Sequence, residues 1–376
     1  METKTCFLLV VLAVSVALPY IYTYHAWSTV DKDEFLFGVT FGFDSTTEAK
    51  LLIDKVKDYT NLFVVDSWDL TTNESLLNEV CDYAATAGLK FIVYFDLISK
   101  ITFPWHQEWL INAKTRWGDK FLGIYLHDEL GGKQIDGKRY VENASDNGDA
   151  ASQFVANIDT YNSVQFAKNN SIPLFTADYV LYWWDYIGGY DTIFVELGLD
   201  LNTTRQIALC RGAANMQGKD WGAIIVYKTN EPPYIGAGQE IYEDMIAAYR
   251  AGAKYVLLFN FPRYPDTNPY GILNENHFAA MKKFHDYVKA YPRNIYGRTE
   301  GQVALVLPEN YGWGARRQDD NLWGLWPADE KAPLIWENMN KLITKYNFEL
   351  DIIFYDARFP PKGKYLEIYA WNATIT

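Results

Sequence analysis

The chain has 376 residues, 49% of them apolar, enough for one large core with an appendage and too many for a disordered protein. A net charge of −13 without a basic stripe argues against a nucleic-acid partner. Aromatic residues reach 16% with 13 Trp, an excess over core packing that suits a ligand with flat apolar faces, such as a sugar.

The N-terminal stretch 1–26 reads as a signal peptide or an N-terminal membrane anchor. An apolar run from Cys6 to Tyr24 follows Lys4 and precedes the acids Asp31, Asp33 and Glu34, so the bulk of the chain is expected outside the cell. Ser15-Val16-Ala17 offers a cleavage site, yet the run continues past Pro19 and serves equally as a tether, leaving secreted and anchored forms both open. Sequons at Asn73, Asn143, Asn169, Asn202 and Asn372 suit an exported glycoprotein. Cys81 and Cys210 fall on outer helices of separate units, too far apart to bridge, and are expected as buried thiols. The histidines show no pair at ligand spacing, which argues against zinc. No cofactor is expected, and only a carboxylate-held calcium stays open.

Apolar, β-rich runs alternate with helical patterns in eight units. The expected strands are Phe35 to Asp44, Leu62 to Trp68, Phe91 to Asp96, Phe121 to Leu126, Pro173 to Asp178, Thr192 to Glu196, Trp221 to Lys228 and Tyr255 to Phe261. Their number and span predict an α/β fold, a closed (β/α)8 barrel over 33–296, with an open doubly wound sheet as the alternative. A second region, 302–376, reads as a small α/β module, short enough to be incomplete. The stretch Arg205 to Trp221, with Cys210-Arg211-Gly212-Ala213-Ala214, predicts a closely packed helix whose Arg211 pairs with a buried acid.

Aligning the strand ends brings acids to one face. Asp44, Asp66, Asp96, Asp128-Glu129, Asp178 and Glu196 close strands one to six, and strand seven runs into Lys228 and Glu231. Gathering carboxylates is costly unless they bind a polyhydroxylated ligand or a cation, or tune one another's proton affinity. Helix capping is the plainer role for Asp44 and competes evenly for Asp66 and Asp96. Strand alternation sends Gly123, Tyr125, His127 and Glu129 to the interior. Asp128 then points sideways unless the strand kinks at its end.

Trp68, Trp105 and the segment Tyr179 to Tyr186, which contains Trp183 and Trp184, crowd the same face in the manner of a sugar subsite. The substrate-binding candidates are therefore Asp44, Asp66, Trp68, Asp96, Tyr125, His127, Asp178, Tyr179, Trp183, Trp184, Lys228 and Asn260. The loop from Gly131 to about Ala150 is long for a βα connection and is expected to act as a lid.

On these residues the chain resembles the glycoside hydrolases of (β/α)8-barrel type, and more loosely the β-galactosidase-like members with a trailing amidotransferase-like α/β module. In the largest barrel clan an Asn-Glu pair ends strand four and a Glu nucleophile ends strand seven. Here Asp128-Glu129 stands at the first place and Thr229-Asn230-Glu231-Pro232-Pro233 near the second. The resemblance implies Glu129 as acid/base, with Asp128 a departure from Asn, Glu231 lying far along for the nucleophile, and Glu196 an off-pattern substitute. The Asp-Glu pair is also similar to that of the barrel hexosaminidases, where the Asp steadies the substrate's own acetamido group and no protein nucleophile is needed.

The sequence therefore predicts a glycosidase acting on a carbohydrate, with catalytic candidates Glu129, Glu196, Asp128 and Glu231. The rival reading is a non-catalytic surface or carbohydrate-binding barrel. A phosphate-handling barrel fits less well, because the last two loops lack a Gly-rich anion cradle.

Overall fold

The computed structural model describes residues 34–95, 104–137, 140–262 and 268–375. The run Cys6 to Tyr24 and the candidate Asp96 lie outside the described residues. Phe35–Thr376 forms one compact unit.

Eight strands supply the core: β1 (Leu36–Phe41), β2 (Leu62–Val65), β3 (Lys90–Tyr94), β4 (Phe121–Tyr125), β5 (Leu174–Asp178), β6 (Thr192–Leu197), β7 (Asp220–Ile225) and β8 (Tyr255–Leu258). They are parallel, follow one another in sequence order, and close when β8 returns to β1 through Leu36↔Tyr255 and Val39↔Leu258. The sheet has no free edge, which excludes the doubly wound alternative. Each strand is an apolar run because one face packs inside the barrel and the other under helices.

The helical layer begins with α1 (Thr46–Val56), α2 (Trp68–Thr71), α3 (Glu74–Thr86) and α4 (Pro104–Trp117). It continues with α5 (Leu130–Gly137), α6 (Asn147–Asp159), α7 (Asn162–Asn169), α8 (Tyr182–Gly188), α9 (Thr203–Gln217), α10 (Gly238–Arg250), α11 (Glu275–Ala290) and α12 (Arg293–Tyr296). Several strands stop short of the expected ends because helix caps intervene. Ser45 and Ser67, not the preceding aspartates, accept the backbone N–H of Glu48 and Leu70. Cys81 on α3 and Cys210 on α9 are buried free thiols.

After the barrel come β9 (Val303–Leu307), α13 (Ala332–Tyr346), β10 (Leu350–Phe354) and β11 (Glu367–Ala370), the strands forming a parallel sheet in the order β10-β9-β11. Helix α9 lies against β10, and a Cβ on Gly212 would sit 2.6 Å from the Ile352 carbonyl oxygen, so this approach needs glycine. Beside it the Arg211 Nε donates to Asp351 Oδ1 at 2.7 Å, with both groups buried. The remaining Arg211 donors reach the carbonyls of Ala251, Thr299, Phe348 and Leu350. Asn215 and Tyr365 donate to the other Asp351 oxygen. Every strong polar atom of this pair is matched, the condition under which a buried ion pair is tolerated. The close-packed helix legible in the sequence thus serves the junction between barrel and module.

Candidate active site

Inside the barrel Phe194 packs against Phe175 at 5.8 Å, Tyr255 at 5.8 Å and Tyr125 at 6.1 Å. Two residues on from Phe194, the Glu196 side chain rises from the same face and is only 4% exposed. Tyr125 belongs to the same interior layer, and its hydroxyl donates to Asp128 Oδ1 at 2.7 Å.

The backbone after β4 does not stay extended. His127 and Glu129 both adopt left-handed φ values, 58° and 54°, a costly conformation for non-glycine residues that concentrates at functional sites. This break overturns simple alternation. The His127 ring is buried against Tyr161, tilted at 41° with centroids 4.4 Å apart, and its Nδ1 meets the Tyr190 hydroxyl at 2.5 Å. Asp128 and Glu129 follow the end of β4 and Glu196 lies on β6, at the same C-terminal end of the barrel, and the charges of the first two raise the proton affinity of Glu196.

Helix α5 starts immediately after Glu129. Its Lys133 Nζ lies 3.9 Å from Asp128 Oδ2 and 3.9 Å from Glu129 Oε2, and donates to the Asp128 carbonyl at 2.5 Å. One ammonium thus stands beside two acids, while Glu196 has no ion-pair partner among the described residues. Burial, then the Asp128 charge, raises the Glu129 pKa, with Lys133 opposing. Burial pushes Glu196 well above the usual carboxyl range, reinforced by Asp128, Glu129 and Asp178.

Asp178 lies beneath the mouth, fully buried. Its oxygens accept the backbone N–H groups of Gly131 (2.5 Å), Gly132 (3.0 Å), Tyr179 (2.7 Å) and Val180 (3.1 Å). It therefore pins the first turn of α5 and is not offered to a ligand. Burial outweighs those four donors and lifts its pKa from the ordinary 3.8 to about 7. Gly131 and Gly132 are required by this packing: a Cβ on Gly132 would fall 2.1 Å from the Tyr179 ring. The expected lid is accordingly built of packed helices, α5 and α6. Gln134 of α5 is buried, its amide donating to the Val141 and Trp323 carbonyls.

Other candidates are distributed elsewhere. Trp183 packs on Phe354 and Phe359 of the module, both at 5.9 Å, and Trp184 on Trp323 at 4.7 Å and Phe354 at 4.6 Å. Both indoles are buried, so they join barrel to module and present no stacking face. The Tyr179 hydroxyl donates to Asp136, which also holds Arg316, tying the module's connecting segment to α5. Lys228 pairs with Asp244 at 2.6 Å on α10, away from the acids. Glu231 is exposed in a turn six residues beyond the end of β7, its carbonyl accepting the Tyr234 N–H.

Asn260 is buried at the end of β8. Its backbone N–H donates to the Thr40 hydroxyl at 2.8 Å, while its own amide side chain has no hydrogen-bond partner among the described residues. On the rim, Trp68 is 57% exposed, Asp66 is half-buried and Asp44 is exposed.

Lys133 and Asp136 were not apparent as site residues from the sequence. The available signal was the i,i+4 spacing of Glu129 and Lys133, legible only once a helix starts at Leu130. Among the described residues no group of acids, histidines or cysteines is arranged to hold a metal ion.

No family model matches the chain, and no curated protein matches it. Among solved structures, the chain is similar to GH5_18 from Streptomyces cattleya, crystallised in complex with GlcNAc, with a TM-score of 0.54 and 11% identity over 90% of this chain and 98% of that one. It is also similar to the β-mannanase of the blue mussel Mytilus edulis (TM-score 0.42, 10% identity, 70% of this chain and 94% of that one). A truncated 3-deoxy-D-arabino-heptulosonate 7-phosphate synthase from Thermotoga maritima gives a TM-score of 0.42 at 10% identity, over 73% of this chain and 93% of that one. What the chain shares with the GH5_18 structure is the fold: a (β/α)8 barrel, here with a small three-stranded sheet after it.

Proposed function

We propose that the protein is an exported glycoside hydrolase that cleaves O-glycosidic bonds in an oligosaccharide, a polysaccharide or the glycan of a glycoprotein. The observation that carries this reading is that β4 runs into Asp128 and Glu129, with Lys133 3.9 Å from each carboxylate, and β6 carries Glu196 to the same C-terminal end of the barrel. Glycoside hydrolysis needs one protonated carboxyl and one charged group near the anomeric carbon, and grouping buried acids separates their proton affinities in that way.

Glu129 is part-exposed and raised in pKa, which suits a proton donor to the leaving oxygen that later recovers the proton from water. Asp128, gripped by the Tyr125 hydroxyl and near Lys133, is the better-supported anion. Glu196 takes the role of nucleophile or base. Burial and the neighbouring Asp128 and Glu129 charges raise its proton affinity, and positive charge developing at the sugar ring would favour its carboxylate form. Glu231 is left without a part in the chemistry by its exposed turn. On a 2-acetamido sugar Asp128 would steady the acetamido group and Glu196 would be dispensable, whereas a 2-hydroxy sugar requires Glu196.

A second reading, a carbohydrate-binding barrel without turnover, is favoured by one observation: β7 brings no acid to the mouth, since Lys228 turns outward and Glu231 is exposed. A panel of exo- and endo-glycosides, with sugar binding followed by calorimetry, separates the two. Hydrolysis that disappears in Glu129→Gln while binding persists supports the enzyme. Binding without turnover in the unaltered protein supports the second reading.

A further inference from the structure

The barrel end opposite the mouth carries an apolar surface that the chemistry does not use. Tyr291, Ile295 and Tyr296, at the end of α11 and on α12, are 48%, 72% and 64% exposed. They form part of a fixed patch: Tyr287 meets Tyr291 at 4.8 Å, and Tyr291 meets Tyr296 at 5.3 Å. The Tyr249 hydroxyl donates to the Tyr291 carbonyl at 3.0 Å, and the Arg293 guanidinium covers the rings of Tyr249 at 4.1 Å and Phe35 at 4.9 Å.

Two further facts bear on what covers this patch. First, the segment from Lys282 to Glu300 carries five cations, Lys282, Lys283, Lys289, Arg293 and Arg298, against two acids, in a chain whose net charge is −13. Second, Phe35 belongs to the same cluster and leads directly into β1, and the apolar run Cys6 to Tyr24 ends eleven residues before it. Eleven extended residues reach at most about 40 Å. Exposed tyrosines and an isoleucine in a segment richer in cations than in acids match the composition of a bilayer interface, where amphipathic rings sit at headgroup depth and long basic side chains reach phosphate.

We propose that this end of the barrel rests on a phospholipid bilayer, with Tyr291, Ile295 and Tyr296 at the headgroup level, so that the carboxylate mouth faces away from the membrane. The proposal is independent of the chemistry at the mouth. It commits to the apolar run being retained as an anchor.

The test uses the full chain, inserted during cell-free synthesis into phosphatidylcholine vesicles containing phosphatidylserine and a lipid with a headgroup-depth nitroxide quencher. Cys6→Ser removes the accessible thiol candidate, and Cys81 and Cys210 are buried. A fluorophore is then placed at Ile295→Cys, or at Trp68→Cys on the mouth rim as control. The expected result is several-fold quenching at 295 and none at 68. A label at Lys289→Cys should lose its quenching when Ile295→Asp and Tyr296→Asp are introduced together, without release of the chain from the vesicle. Equal quenching at both ends, quenching at neither, or a chain recovered free of the vesicles would overturn the proposal.

Discussion

Two clusters of charged residues in this molecule, one buried and one opening to the mouth, are built on opposite terms. At the junction of barrel and module, Arg211 and Asp351 form an ion pair in which each strong donor and acceptor has a partner, five from Arg211 and three on Asp351. At the mouth, Asp128 adds to the raised proton affinity of Glu129, and both add to that of Glu196, with Lys133 no closer than 3.9 Å to the Asp128 and Glu129 carboxylates. A matched charge cluster holds elements together. A mismatched one costs stability and is kept where chemistry uses it.

The comparison breaks most readily at the junction. Arg211→Met leaves Asp351 buried without its cation, and the unfolding free energy should fall by about 3–5 kcal/mol, read from denaturant melts. Glu129→Gln should leave those melts unchanged while lowering kcat by about 10²–10⁴-fold, the usual worth of a general acid/base.

Acidity gives a finer test. Glu196 and Asp178 have raised folded-state pKa values, so the folded protein holds protons that the unfolded chain releases. The stability this confers is complete below the ordinary carboxyl range and is lost as pH climbs through the folded values, about 7 for Asp178. The melting temperature should therefore decline between mildly acidic and mildly alkaline pH, and Glu196→Gln should flatten that decline, gaining a few degrees on the alkaline side only. The smallest effect is expected at Glu231→Gln, which should alter neither turnover nor melting.

The barrel was legible because both faces of each strand are buried, which turns eight strands into eight apolar runs. Glu196 was legible as an acid closing the apolar run of β6, which stays regular to Leu197. Alternation, applied to strand four, misplaced His127 because left-handed turns at His127 and Glu129 break the period. Gly131 and Gly132 read as a loop, although their missing side chains make room for the Tyr179 ring and Asp178, and this hid α5 together with Lys133. Trp183 and Trp184 looked like sugar platforms because nothing local announces the module residues Phe354 and Phe359, which lie about 170 positions away and cover them.

The most direct test measures glycoside turnover and melting temperature on the same preparations of Glu129→Gln and Arg211→Met. Turnover lost with melting unchanged in the first, and melting depressed in the second, is the predicted pattern. Turnover retained in Glu129→Gln would contradict the assignment of chemistry to the mouth.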